Sequence, residues 1–181
     1  MKIEETYIPE VLVLTPAVYR DDRGAFVETW NQRRMTDAGL PAQFVQDNFS
    51  ISRKNVLRGI HYQIAQPQGK LVRVSCGAAL DVVVDLRRSS PDFGRHVAVE
   101  LSDENARMLW IPVGFGHAFL ALSETVGFAY KVTDYYSPAG ERTIRWNDPD
   151  LAIPWPAESG DLIVSAKDQN GALLRDAEVF A

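Results

Sequence analysis

An all-β fold of the jelly-roll kind, two sheets face to face with a few short peripheral helices, is what this sequence predicts. Three observations carry the expectation. Short runs rich in β-branched and aromatic residues succeed one another along the chain. Turn signals built on Gly, Pro, Asp and Ser part them at intervals of about eight to twelve residues. Segments with a helical period are few and brief. No repeat and no linker-like shift in composition interrupts the 181 residues, and with 46% hydrophobic content they are enough to bury a core, so one domain is expected over 1–181.

The elements follow in order. VLVL at 11–14 and AFVETW at 25–30 are short apolar runs separated by the turn DDRG. NQRRMTDAG at 31–39 reads as a short helix, opened by Asn31 and closed by Gly39 with Pro41 beyond it. QFVQDNFSIS at 43–52 and VLRGIHYQ at 56–63 are further strand candidates rich in β-branched and aromatic residues. KLVRVSC at 70–76, ALDVVVDL at 79–86 and HVAVEL at 96–101 follow, the last two parted by RRSSPDFG. SDENAR at 102–107 supplies a single turn before MLWIP at 108–112, and PVGFG leads into HAFLAL at 117–122. VGFAYKVTDYY at 126–136, TIRW at 143–146 and LIVS at 162–165 complete the strands, with SPAG and WPAESGD between them, and the last dozen residues are expected to form a terminal helix.

Charge and cysteine usage narrow the function. Nineteen basic residues against 24 acidic ones give a net charge of −5, so no nucleic-acid partner is expected and any anion site must be local. Cys76 is the one cysteine, which excludes an internal disulfide and a multi-thiolate metal site and fits a reducing compartment. The opening MKIEETYIPE lacks the apolar run of a secretory signal, and no stretch approaches the roughly 20 apolar residues of a membrane helix. A cytoplasmic protein without a membrane partner is expected.

Histidines on inner strands of a β-sandwich raise the question of metal. PVGFGHAF at 112–119 resembles the second short motif of the cupin superfamily, in which a histidine ligates metal. The first cupin motif would need two alternating histidines and a nearby glutamate. Here it reads His61-Tyr62-Gln63, and the following IAQPQGK brings Lys70 in place of a carboxylate. A divalent cation wants neutral imidazole and anionic oxygen, so no metal is expected. His96 reads as a solvent-facing residue that opens a strand.

A pocket holding His61, Lys70, Arg58 and a phenol from FAYKVTDYY suits proton abstraction beside a carbonyl. The imidazole takes the carbon-bound proton, the ammonium holds the oxygen where charge develops, and an acid on the opposite face returns a proton. Asp168, just after an apolar strand, is the candidate to orient the imidazole. Strand alternation opposes one part of this: Arg58 and His61 fall on opposite faces unless Gly59 forms a bulge.

RGIHYQ, QGKLVRV, VDLRRSSPDFG, LWIPVGFGHAF, YKVTDYYSP, IRWNDPDLAIPWP and SAKD, in this order, resemble the dTDP-4-dehydrorhamnose 3,5-epimerases, metal-free cupins of nucleotide-sugar biosynthesis, from about Ile8 to Leu174. The resemblance implies epimerisation at C3 and C5 of dTDP-4-dehydro-6-deoxy-D-glucose without a cofactor. It implies His61 as base, Asp168 as its dyad partner, Tyr130 as the reprotonating acid and Lys70 as the group on the enolate oxygen. Arg58 and His117 would line the sugar pocket. Arg23, Glu28, Gln46, Asp47 and Asn48 would bind the nucleotide, Tyr136 would stack on thymine, and Glu141 and Lys167 would contact substrate. It further implies a homodimer whose arm, carrying Arg23 and Glu28, completes the neighbouring site. Three alternatives stand beside it: an epimerase acting at C3 or C5 alone, a non-catalytic nucleotide-sugar binding module, and a metal-dependent cupin oxygenase.

Overall fold

The computed structural model describes residues 1–156 and 161–181. In chain order its strands are β1 (Lys2–Glu5), β2 (Leu12–Thr15), β3 (Val18–Asp21), β4 (Gly24–Val27), β5 (Gln46–Arg53), β6 (Val56–Gln63) and β7 (Lys70–Cys76). Then come β8 (Ala78–Asp85), β9 (His96–Ser102), β10 (Met108–Ile111), β11 (Phe115–Ala121), β12 (Thr125–Val132), β13 (Glu141–Thr143) and β14 (Ile163–Val164). The helices are α1 (Gln32–Asp37), between β4 and β5, and α2 (Ala166–Gln169), after β14.

One sheet runs β1-β2-β10-β7-β12-β5 and the other β13-β6-β11-β8-β9, with β14 parallel to β6 on the edge that β13 also uses. Hairpin β3–β4 stands apart as a two-stranded arm. Between the sheets lies an apolar core that includes Val72, Val83, Leu109, Phe119 and Phe128. The outer face of the second sheet is covered by Ile144, Leu151, Leu174 and Ala177, which pack on Ile60, Tyr62, Val82 and Val84. The outer face of the first is covered by Met35 and Leu40 at α1, against Leu14, Leu71, Met108 and Trp110. The back of the second sheet and the β2–β10–β7 part of the first are thus covered, while Phe49 and Ile51 of β5 stay exposed, and polar groups collect where the two inner faces open.

Several boundaries differ from the sequence expectation. Strand β5 begins at Gln46 rather than 43, and β12 ends at Val132, so Tyr135 and Tyr136 lie in the loop that follows. TIRW contributes only its first residue to β13, with Ile144 beyond it in an isolated bridge to Ala172. The terminal helix is absent: the segment holds a 3-10 turn at Leu174–Asp176 and then runs extended, Phe180 pairing with Leu86 and Arg88. The reason is burial, since in this extended course Leu174, Ala177 and Phe180 all reach the back of the second sheet. SDENAR closes as a non-helical turn because the Asn105 side chain accepts from the Ser102 and Arg107 N–H groups. Strands β1 and β3 escaped the sequence reading because KIEE and VYRD are polar; one pairs at a sheet edge and the other in the exposed arm. In the WPAESGD turn, residues 157–160 lie outside the described residues.

Candidate active site

Gly59 decides the geometry. His117 pairs with His61 and Phe119 with Arg58, so three residues of β6 span two of β11, and the extra residue is a β-bulge. Gly59 adopts φ +119, open to glycine and not to residues with a Cβ, and the Gly59–Ile60 peptide is cis. The bulge resets the alternation: Ile60 and Tyr62 point into the outer core while Arg58 and His61 both line the cavity between the sheets. The edge of β6 is satisfied in sequence, by β14 at Val56 and Leu57, by the Ile144 backbone at Ile60 and by β13 from His61 onward. The Gly59 N–H, left between them, donates to Asp168 Oδ2 at 3.3 Å.

Asp168 reaches that point from α2, whose Ser165 cap accepts the Asp168 N–H. Its Oδ1 lies 2.6 Å from His61 Nε2. With Nε2 engaged, Nδ1 is the free nitrogen of a ring that keeps 30% exposure over a carboxylate only 4% exposed. Burial raises the Asp168 carboxyl, but the hydrogen bonds from His61 and Gly59 outweigh it and hold the group below its ordinary value. The carboxylate is therefore charged at neutral pH and available to support an imidazolium.

The other groups converge on the same cavity of about 710 Å³. Lys70, at the start of β7, is buried, which pushes its pKa down to about 8 against the opposing pull of Asp81 and Glu141. Tyr130 of β12 is held above its ordinary value, first by burial and then by Glu141, and so remains a phenol at neutral pH. Arg58 donates from Nε to Ser52 Oγ at 3.1 Å. His117 turns Nε2 to Asp81 Oδ2 at 2.8 Å. Phe119 and Phe128, stacked with centroids 4.1 Å apart, give the cavity an apolar wall.

At the rim, Tyr136 donates its hydroxyl to Glu141 Oε2 at 2.9 Å, and Lys167 Nζ stands 2.5 Å from Glu141 Oε1. Gln46 accepts the Tyr136 N–H and donates to Asn48 Oδ1. Three expected site residues lie elsewhere in this chain. Asp47 points to the opposite face of β5 and binds Lys131 at 2.9 Å. Arg23 is nearly bare at the tip of the arm, paired with Asp21, and Glu28 pairs with Arg34 and Asn31. Sequence reasoning missed Asp81, Ser52 and Ser165; the signal for Asp81 was present, an acid inside the apolar run ALDVVV.

Among the described residues no group of three or more His, Cys, Asp or Glu side chains converges to hold a metal. Gln63, standing where a second ligand would, is spent on backbone: Nε2 donates to the Gln66 and Tyr135 carbonyls and Oε1 accepts from Ser137 N–H.

A jelly roll with a carboxylate-backed imidazole, an ammonium and a phenol facing one cavity defines an acid–base site of the type that moves protons at carbon. Residues 5–176 match the dTDP-4-dehydrorhamnose 3,5-epimerase family, and the chain belongs to that family. It is 52% identical over 181 residues to the dTDP-4-dehydrorhamnose 3,5-epimerase of Pseudomonas aeruginosa, covering 99% of each chain. It is 37% identical to a dTDP-4-dehydrorhamnose 3-epimerase of Streptomyces niveus, covering 98% of this chain and 86% of that one. Among solved structures it superposes on dTDP-6-deoxy-D-glucose-3,5-epimerase of Legionella pneumophila, in complex with dTDP-4-keto-L-rhamnose, with TM-score 0.94 and 48% identity over 98% of this chain and 94% of that one.

Proposed function

We propose that the protein epimerises C3 and C5 of dTDP-4-dehydro-6-deoxy-D-glucose to give dTDP-4-dehydro-L-rhamnose. The observation that carries this reading is the 2.6 Å His61–Asp168 pair opening on a cavity shared with Lys70 and Tyr130. C3 and C5 flank the same C4 carbonyl, so one base and one oxyanion site serve both carbons. His61 Nδ1 takes the proton. The C–H electron pair becomes the C=C bond of an enolate whose negative oxygen meets the Lys70 ammonium. The Tyr130 phenol returns a proton to the opposite face, and the configuration inverts. Exchange with solvent moves the proton from the His61 imidazolium and restores the phenol. Asp168 orients His61 and offsets the imidazolium charge, a contribution of about 10²- to 10⁴-fold in comparable acid–base sites. No step calls on a cofactor.

Arg58 and the rim residues Gln46, Asn48, Tyr136, Glu141 and Lys167 are assigned to the dTDP portion and the sugar. Arg23 and Glu28, on and next to the arm, lie outside their own cavity, which supports a homodimer in which the arm of one protomer completes the site of its partner. The exposed aromatics Tyr19 and Phe26 on that arm favour the same reading. Among the described residues no helix is long and apolar enough to cross a membrane.

The 3-epimerase of S. niveus gives specific weight to epimerisation at one carbon as a second reading. Incubation with the 4-keto sugar nucleotide in heavy water, followed by NMR, separates the two. Deuterium at both C3 and C5 is the expected result, deuterium at one carbon establishes the single-site activity, and none at either refutes both. His61→Ala that still binds dTDP-sugar while wild type shows no turnover would establish a binding module.

A further inference from the structure

Asp81 is the one buried charge at this site that the proposed reaction does not use. It is wholly enclosed in β8, on the face that points between the sheets, with Val83 beside it in the apolar core. Its Oδ2 meets His117 Nε2 at 2.8 Å, and its Oδ1 finds no hydrogen-bond partner. A carboxylate in such surroundings is costly unless a cation or a strong donor compensates it. His117, which lines the cavity, supplies the donor, and this requires its Nε2–H form. Asp168 differs, because both of its oxygens are bonded.

We propose that Asp81 is a positioning residue: its carboxylate fixes the ring of His117 through Nε2 and supplies, from behind the cavity wall, the counter-charge for Lys70. Lys70 makes no ion pair among the described residues, and Asp81 is the foremost group opposing the effect of burial on it. The other titratable or charged groups sharing the cavity with Lys70 include Glu141 from β13, His61 and Arg58 from β6, His117 from β11 and Tyr130 from β12. Of these Glu141 is the further acid acting on Lys70, and it is already paired with Lys167.

The inference rests on the epimerase reading, so its test has one arm that needs no turnover. Side-chain ¹⁵N NMR of the ligand-free protein, with His117→Gln used for assignment, is expected to show a proton on His117 Nε2. A bare Nε2 with the proton on Nδ1 overturns the proposal even if the enzyme is fully active. In the second arm, Asp81→Asn keeps an acceptor for His117 and removes the charge. The kcat is expected to fall about tenfold or more, the order seen when a carboxylate that orients a metal-bound histidine is lost. KM should change little, and the basic limb of the kcat profile should move to lower pH. Loss of thermal stability with an unmoved basic limb would reduce Asp81 to packing and refute the assignment.

Discussion

Replacing Gly59 with alanine tests whether the bulge is imposed by the close approach of two strands. A Cβ at Gly59 would lie 2.5 Å from the His117 carbonyl oxygen, 2.6 Å from Ala118 Cβ and 2.7 Å from Ala118 Cα. These atoms are backbone or a methyl fixed to it, so none swings aside. Gly24 has almost the same backbone angle, φ +125 against +119, with nothing within 4 Å of its Cβ. Gly24→Ala therefore carries the conformational cost alone, about 2 kcal/mol. Gly59→Ala adds overpacking of about 2 kcal/mol, for a total near ~4 kcal/mol. At about 3 °C per kcal/mol for a chain of this size, the melting temperature should fall by about 6 °C in the first variant and about 12 °C in the second. Scanning calorimetry on both proteins provides the comparison, and deuterium uptake by substrate should be lost in Gly59→Ala because Arg58 and Asp168 are both placed through this residue. A Gly59→Ala protein that melts no lower than Gly24→Ala would refute the reasoning.

Three further outcomes follow from the same geometry. Lys70→Met keeps the volume and removes an ammonium whose burial takes its pKa from 10.5 to about 8; at about 1.4 kcal/mol per unit the charged form costs about 3 kcal/mol. The variant should gain stability of that order at pH 7 in urea melts while losing activity, and a loss of both would contradict the assignment. In wild type the unfolded chain holds the Lys70 proton between pH about 8 and 10.5 where the folded chain does not, so this residue makes stability rise with pH across that window. Asp168→Asn should cut kcat by about 10³-fold and destabilise the protein at pH 6. Because the folded Asp168 titrates below its ordinary 3.8, the stability gap should close as pH falls below that value; a gap that persisted at lower pH would place its origin elsewhere. Tyr130→Phe should retain dTDP binding by calorimetry but form no inverted product by NMR, and normal product formation would remove Tyr130 from the acid role.

Strand content was legible because short apolar and β-branched runs are bounded by turn residues: KLVRVSC, HVAVEL and VLRGIHYQ became strands at their expected positions. The site was legible wherever a chemically unusual residue stood in such a run, as with His61 and His117. The face that Arg58 takes was less so, because alternation assigns it away from His61 and a single glycine reverses the assignment. Whether Gly59 would bulge depended on how closely Ala118 approaches, which is a fact of tertiary packing. Asp81 passed as part of a strand for a related reason: sequence shows an acid among valines but not that a histidine on the neighbouring strand will meet it. The terminal segment failed in the other direction, its apolar residues suiting a helix until pairing of Phe180 with Leu86 decided for an extended course.

The charges inside this sandwich differ in how they are held, and the difference bears on the proposed chemistry. His61 leans on Asp168, His117 on Asp81, Arg58 on Ser52 and Lys167 on Glu141, each side chain braced by a residue from another element. Gln63, which stands in the sequence where a second metal ligand would be, braces the loop that carries Tyr136 through its three backbone contacts. Lys70 has no such brace: among the described residues nothing lies within hydrogen-bond or ion-pair distance of its Nζ, although it is buried. A partner in direct contact would neutralise the ammonium before substrate arrived and weaken its pull on a developing enolate, whereas Asp81, bonded to His117, opposes the cost of burying Lys70 from a distance without pairing with it. Left unpaired in a low-dielectric cavity, it interacts most strongly when negative charge appears on the sugar oxygen, which favours the transition state over the ground state. The destabilisation expected from that unpaired charge and the rate it would supply have one origin, which is why Lys70→Met should move stability and activity in opposite directions.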